Sequence, residues 1–390
     1  PTRELQELNL IVDGDEFPYG QIARSVELQK IWQTSQNNFD FYKLEKAVCD
    51  FNNSNDIFKK GISFIPVTFG ISFTNTMMNH ARALVHIYQD GSIGISTGAV
   101  EMGQSVNTKL IQVASKVLSV NTNRIKIEST NTTRVANTSP SAASSTADLN
   151  GKAVQMACEE LLSRLITTAA NKLNKDKGLI QIDNEVVIVA GKKSSLKWEQ
   201  LILDAFTNRV SLSESSHYST PKINFDKTIE KGHPFAYHVY GLAITTVTID
   251  CIRGTHFIDY VKIVHDFGKS INQEIDNGQI EGALVQGIGW MTMEEIVYDE
   301  TGDLKSGALS NYKVPDIYSI PDTIEIVPLT TEGHENAILK SKAVGEPPFN
   351  YGIGVFFALQ DAISAFNLNY SPEATAPMTP ERVLMGLYQK

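Results

Sequence analysis

The chain is poor in cysteine. Three residues in 390, Cys49, Cys158 and Cys251, are widely spaced and none sits in a Cys-x-x-Cys pair. They are too few for an iron–sulfur cluster, which takes about four thiolates, and they form no disulfide framework. The reading is three buried thiols in a reducing cytoplasm, with Cys158 on the apolar face of a helix beside Val154, Leu161 and Leu165. Positive charge is also short: 34 Lys and Arg against 44 Asp and Glu give a net charge of −10. Without any basic run, that balance excludes nucleic acid as a partner. The most apolar stretches, 283–290 and 352–359, are far below the roughly 20 residues that span a bilayer, so no membrane partner is expected. Eight histidines are scattered without ligand spacing, which gives no support for a metal held by side chains. No signal peptide is visible. A start at Pro1 rather than Met reads as a processed or excised piece of something longer.

What is present is ample core material. Hydrophobic residues make up 42% and charged residues 20%, enough for two or three domains. Residues 1–60 read as a polar, mostly helical segment, with Phe41, Leu44, Val48 and Phe51 on one helical face. Strand signals then dominate. The run 83–88 turns through Asp90-Gly91 into 92–96, followed by a helix over 107–119, a strand over 124–128 and a helix over 141–165. The second half repeats this rhythm: a hairpin of 242–250 and 257–265 through Arg253-Gly254, a helix over 274–290, a strand over 323–327 and a helix over 351–366. Segments 172–177 and 211–227 read as surface excursions. The fold class is α+β, two subdomains with helices packed on largely antiparallel sheets, divided as 61–230 and 231–390.

Three motifs could carry chemistry. Glu101-Met102-Gly103-Gln104 lies between a hairpin and a helix, where backbone N–H groups can approach a ligand and Gln104 can donate and accept; it could equally be an ordinary strand-to-helix connection. In 129–146, ten of eighteen residues are Ser or Thr. At a helix start such hydroxyls and free N–H groups suit a phosphate or another polar cofactor group, although a plain capped turn has the same composition. No Lys lies within the segment, so it is not a Walker-type loop. Gly345-Glu346-Pro347-Pro348 fixes an acid on a rigid backbone before a helix, suited to a general base or merely a surface Glu. Two weaker signals are Phe73-Thr74, where the ring could stack on a flat substrate, and Gln286 on a small-apolar helix face.

Taken together and in order, the segments 69–74, 101–104, 138–148, 281–287 and 342–348 closely resemble the molybdenum-binding region of the xanthine dehydrogenase/xanthine oxidase family, specifically its C-terminal half. The resemblance runs from about residue 61 to 387 and includes the aldehyde oxidases of the wider family. It implies that Glu346 is the catalytic base, taking a proton as water-derived oxygen is passed to an electron-poor carbon of a purine such as hypoxanthine or xanthine. It implies a molybdopterin cofactor lined by Met102, Gly103, Gln104, Ser141, Ala143, Ser144, Thr146 and Gln286, the metal being held by the pterin dithiolene and not by side chains. Phe73 and Thr74 match substrate positions.

Absences matter here too. The glycine-rich Phe-Gly-Gly and Arg-Gly-Phe-Gly-Gly segments and the upstream Glu and Arg that orient the purine are missing. The resemblance therefore implies an N-terminal half of the same domain as partner, 2Fe-2S and FAD modules elsewhere, and a dimeric, cytoplasmic holoenzyme. An aldehyde or N-heterocycle oxidase, and a cofactor-free fragment inactive without its other half, are the alternatives. Ser105 stands where the family usually has Gly and resists positive φ, so the helix start is expected to differ slightly. Phe349-Asn350-Tyr351, where the family tends to be aliphatic, is expected to border the pocket.

Overall fold

The computed structural model describes residues 2–390. Its longest sheet has four strands in the order Phe58–Ile71, Tyr237–Asp250, His256–Gly268 and Thr323–Thr330. The first three are antiparallel, with Phe58 opposite Asp250 and Ile71 opposite Tyr237, and the last is parallel to its neighbour. Tyr237–Asp250 is buried along almost its whole length. Both faces are covered, so even its polar residues His238, Thr245 and Thr246 are buried. One face carries the helices Gln273–Thr292 and Ile353–Phe366, packed through Val247, Ile263, Leu284 and Leu359. Gly61 makes room for the second of these helices, since a Cβ there would sit 1.9 Å from the Ala358 carbonyl. Helix Leu28–Phe39 covers the other face, where Ile31 and Trp32 meet Tyr240, Leu242 and Val264.

A second four-stranded sheet has the order Ile125–Ile127, Ile93–Thr97, His80–Ile87, Ser213–Ser219. The helices Val106–Leu118 and Thr146–Leu173 cover it, burying Val85, Ile95, Leu110, Val113 and Leu161 together. A three-stranded sheet over 180–197 and the helix Trp198–Thr207 extend this layer. The Trp198 indole donates to the Gly91 carbonyl at 2.8 Å, so the hairpin turn at Gly91 is pinned from outside.

Several boundaries differ from the sequence reading. Strand Phe58–Ile71 pairs with Tyr237–Asp250, so residues 61–71 join the sheet of the second half and not the first. Segment 211–227 is not a mere excursion, because Ser213–Ser219 pairs with His80–Ile87. Its alternating burial, unmarked by apolar residues, gave no strand signal. In 1–60 the stretch 9–27 is irregular, with only a Glu16–Ile22 bridge. Cys49 is exposed, whereas Cys158 and Cys251 are buried. The helix expected over 141–165 runs over Thr146–Leu173 instead. Its start is delayed because Ala143 and Ser144 adopt φ of 55° and 49°, outside the helical region.

Candidate active site

The loop 98–105 leaves the strand Ile93–Thr97 and is held by its own side chains. The Glu101 carboxylate accepts the backbone N–H groups of Gly103, Ser105 and Asn107 at 3.0, 2.9 and 3.0 Å, which caps helix Val106–Leu118. Gln104 Oε1 accepts the Met102 N–H at 2.6 Å, and its Nε2 donates to the Val100 carbonyl at 2.8 Å. Ser105 takes φ of +61° in spite of its side chain. The helix start is left-handed at Ser105, and Glu101 accepts its N–H.

This loop lies against the Ser/Thr-rich segment. Ser141 Oγ accepts the Val100 N–H at 2.8 Å, and Gly98 is close enough that a Cβ would meet Thr138 Cγ2 at 2.2 Å. The consecutive left-handed residues Ala143 and Ser144 leave their N–H groups without an acceptor among the described residues. They lie just before the 28-residue helix Thr146–Leu173. Successive free N–H groups at a helix start form a concave site for negative charge.

Glu346 approaches from the other sheet. Its backbone N–H donates to Ser144 Oγ at 2.7 Å, and its carboxylate is exposed where two clefts meet. A cleft of about 580 Å³ runs from Glu346 past Ser144, Gln286, Gly282 and Phe349. A second, of about 480 Å³, holds Glu346 together with Phe73, Thr74, Ala143, Phe17 and Phe235. A smaller hollow of about 180 Å³ shares Ser144 with the first and reaches Met102, Gln104, Ser141 and Thr146. All the residues singled out from sequence except Gly103 therefore line one connected group of clefts. Gly103 lies beside it with φ of +102°, its N–H taken by Glu101. Of the unusual segment after Pro348, Phe349 and Asn350 line the cleft, while Tyr351 turns inward and is fully buried.

The site also contains residues that no motif marked. Phe17 and Tyr19, from the irregular stretch before the first long helix, form one wall with Phe235 and His238. Phe17 stacks on His238 with centroids 4.4 Å apart, and the Tyr19 hydroxyl meets His238 Nε2 at 2.8 Å. Burial pushes His238 down to about 4, so the ring is neutral at pH 7. Beneath the hollow, Asp148 accepts the Tyr237 hydroxyl at 2.5 Å and the Ile338 N–H at 2.9 Å. Burial raises this acid to about 6 against the pull of those hydrogen bonds. Lys109 pairs with the buried Asp276 at 2.5 Å. Only the neighbourhood of the stretch 9–27 in space identifies its aromatics; Asp148 stood inside a quoted motif but carried no distinguishing signal.

A sequence model of the molybdopterin cofactor-binding domain family matches residues 34–321. The chain belongs to this family. The relatives agree: xanthine dehydrogenase/oxidase of Rattus norvegicus is 38% identical over 389 residues, and that of Gallus gallus 39% over 389. Xanthine dehydrogenase of Oryza sativa is 37% identical over 395 residues. Each match covers 98% of this chain, which spans only 28% of the rat protein's length and 27% of the other two. Two solved structures share the molybdopterin-binding fold. Quinoline 2-oxidoreductase from Pseudomonas putida has a TM-score of 0.86 at 21% identity, over 99% of this chain and 49% of its own. Aldehyde oxidoreductase from Desulfovibrio gigas has a TM-score of 0.78 at 22% identity, over 98% and 38%.

The molybdopterin-binding family's cofactor fits the residues present. Free N–H groups at Ala143 and Ser144 suit an anionic group. On the helix floor of the larger cleft, Gly278 and Gly282 have no atom within 4 Å of a Cβ position, leaving a flat group room to lie.

Proposed function

We propose that this chain is the molybdopterin-binding part of a xanthine dehydrogenase-like hydroxylase that oxidises hypoxanthine and xanthine, with Glu346 as its general base. The observation that carries the reading is the exposed Glu346 carboxylate at the junction of an aromatic-walled cleft and a cleft lined by Gln286 and Ser144. Substrate and cofactor can thus approach one acid from two sides.

When bound, the cofactor supplies the water-derived oxygen and takes up the electrons removed from the substrate carbon. Ala143, Ser144, Ser141, Thr146, Met102, Gly103, Gln104 and Gln286 would hold it, the first two through backbone N–H groups. Phe73 stacks on a flat ring and Thr74 offers a hydroxyl to its polar edge. Glu346 accepts a proton at its carboxylate, and the Ser144 hydroxyl holds the backbone of that acid in place. The missing half of the domain completes the cage. The 2Fe-2S and FAD modules that carry electrons away belong to partner domains or subunits of a dimeric cytoplasmic enzyme active in purine breakdown.

An aldehyde or N-heterocycle oxidase is the second reading. It is favoured by one feature: Phe349, packed at a tilt against Trp290 with ring centroids 5.1 Å apart, narrows the cleft beside Glu346. Turnover of xanthine and of an aromatic aldehyde by the assembled enzyme separates the two. Xanthine oxidation at a clearly higher kcat/KM supports the purine assignment, and aldehyde oxidation without xanthine turnover overturns it.

A further inference from the structure

Two buried anchors bracket Glu346 in the chain: Lys342 before it and Tyr351 after it. Lys342 Nζ donates to Asp266 Oδ2 and, at 3.1 Å, to the His238 carbonyl. Asp266 is fully buried, and its other oxygen accepts the Thr331 hydroxyl at 2.8 Å and the Gly268 N–H at 3.0 Å. On the far side of Glu346, the Tyr351 hydroxyl meets His265 Nδ1 at 2.7 Å, with both side chains fully buried.

The two anchor points are thus consecutive residues of one interior strand, His256–Gly268. Consecutive strand residues project to opposite faces. Tyr351 accordingly packs among Ile263, Leu284 and Val355 on one side of the sheet, and Lys342 lies over the Tyr240 ring on the other, 5.3 Å from its centroid. The turn that carries Glu346 straddles the sheet and is tied to both faces.

Net stability is a poor explanation for this choice. A buried ion pair is commonly no better than apolar residues of similar volume, because both charges lose their water. Among the described residues the His265 Nε2 also finds no partner, a further cost. What such directional bonds do provide is one geometry where apolar packing tolerates several. His265, Asp266 and Tyr351 line none of the three clefts around Glu346, whereas Lys342 lines the smallest of them. An effect of His265 and Tyr351 on chemistry therefore passes through the turn, and one of Asp266 passes through Lys342.

We infer that His265 and Asp266 are positioning residues for the reaction: through Tyr351 and Lys342 they fix both ends of the turn 342–351 and hold the Glu346 carboxylate at one place in the cleft. This rests on the reading of Glu346 as the base. The test uses the complete, molybdenum-loaded enzyme and compares Tyr351→Phe and Asp266→Asn with wild type and Glu346→Gln.

Displacement of a catalytic group by about 1 Å costs up to roughly 100-fold, so each anchor variant should lose about 10- to 100-fold in kcat. KM should stay within about twofold, since substrate contacts are untouched. Molybdenum content should be unchanged. Hydrogen exchange should quicken in peptides covering 341–352 but not in helix Thr146–Leu173. Wild-type kcat in folded, metal-loaded Tyr351→Phe overturns the inference, as does unchanged exchange in 341–352. If Asp266→Asn fails to fold, Tyr351→Phe, which loses a single hydroxyl, decides alone. An active Glu346→Gln enzyme overturns the base assignment separately, and the exchange result then decides whether the anchors hold the turn.

Discussion

The Ser144 hydroxyl accepts the backbone N–H of Glu346 at 2.7 Å, joining residues 202 positions apart in the chain. This bond links the proposed cofactor cradle of one sheet to the acid-bearing turn of the other. Ser144→Ala leaves that N–H without its partner and should lower stability by about 1 kcal/mol. Urea unfolding measures the loss. A larger drop in kcat than in stability would mark the bond as one that aligns the acid.

Removing the acid should be far more costly to turnover than to folding. Glu346 is exposed and makes no side-chain hydrogen bond or ion pair within the described chain. Glu346→Gln is expected to cut substrate-reduction rates by roughly 10²–10⁴-fold, the range for loss of a general base. Molybdenum content and melting temperature should stay near wild type. Stopped-flow reduction with metal analysis on the same sample checks this.

Asp148 gives a pH signature with a defined sign. Burial raises its folded-state pKa from the ordinary 3.8 to about 6. Between those values the folded state holds a proton that the unfolded chain has lost, so Asp148 destabilises the protein progressively as pH rises through this window. Above it the cost is constant, on the order of 3 kcal/mol. Asp148→Asn abolishes the titration. The stability of this variant relative to wild type should therefore increase from pH 4 to pH 6 and level off by pH 7. Urea midpoints at those three values provide the comparison, and a flat difference would refute the assignment.

Gly241 should tolerate no side chain. A Cβ there would lie 1.6 Å from the Tyr351 hydroxyl oxygen, within a rigid sheet and against a buried hydrogen bond. Gly241→Ala should destabilise by about 1–3 kcal/mol, as overpacking does. Pairing it with Tyr351→Phe should recover part of that loss in thermal melts, since the clashing atom is removed.

The thiols should separate cleanly. Cys49 is exposed, whereas Cys158 and Cys251 are buried, with burial pushing them up to about 12 and about 11. A maleimide at neutral pH should label Cys49 alone in the native protein and all three after denaturation, because the thiolate is the reactive form. Peptide mass mapping reads the result.

The sequence by itself determined most helices and strands of the two sheets, because local signals specify them. Helix Val106–Leu118 follows from the spacing of Leu110, Val113 and Ala114, and the Asp90-Gly91 turn from its dipeptide. The ordered motifs also sufficed to indicate the family, and every candidate residue they named except Gly103 lines the clefts. Tertiary structure alone decided the rest. Pairing of Phe58–Ile71 with Tyr237–Asp250 is non-local, and no property of residues 61–71 says which distant strand will accept their hydrogen bonds. Ser213–Ser219 gave no signal because its pattern of burial is made by neighbours and not by its own polar side chains. Phe17 and Tyr19 entered the site because an irregular stretch, free of helical or strand constraints, wraps against His238. The surroundings of Glu346 were settled in the same way. Its motif gave the acid and its rigid backbone, but the bond to Ser144 exists only once both sheets are assembled, and the anchors at His265 and Asp266 only once the turn packs on the strand His256–Gly268.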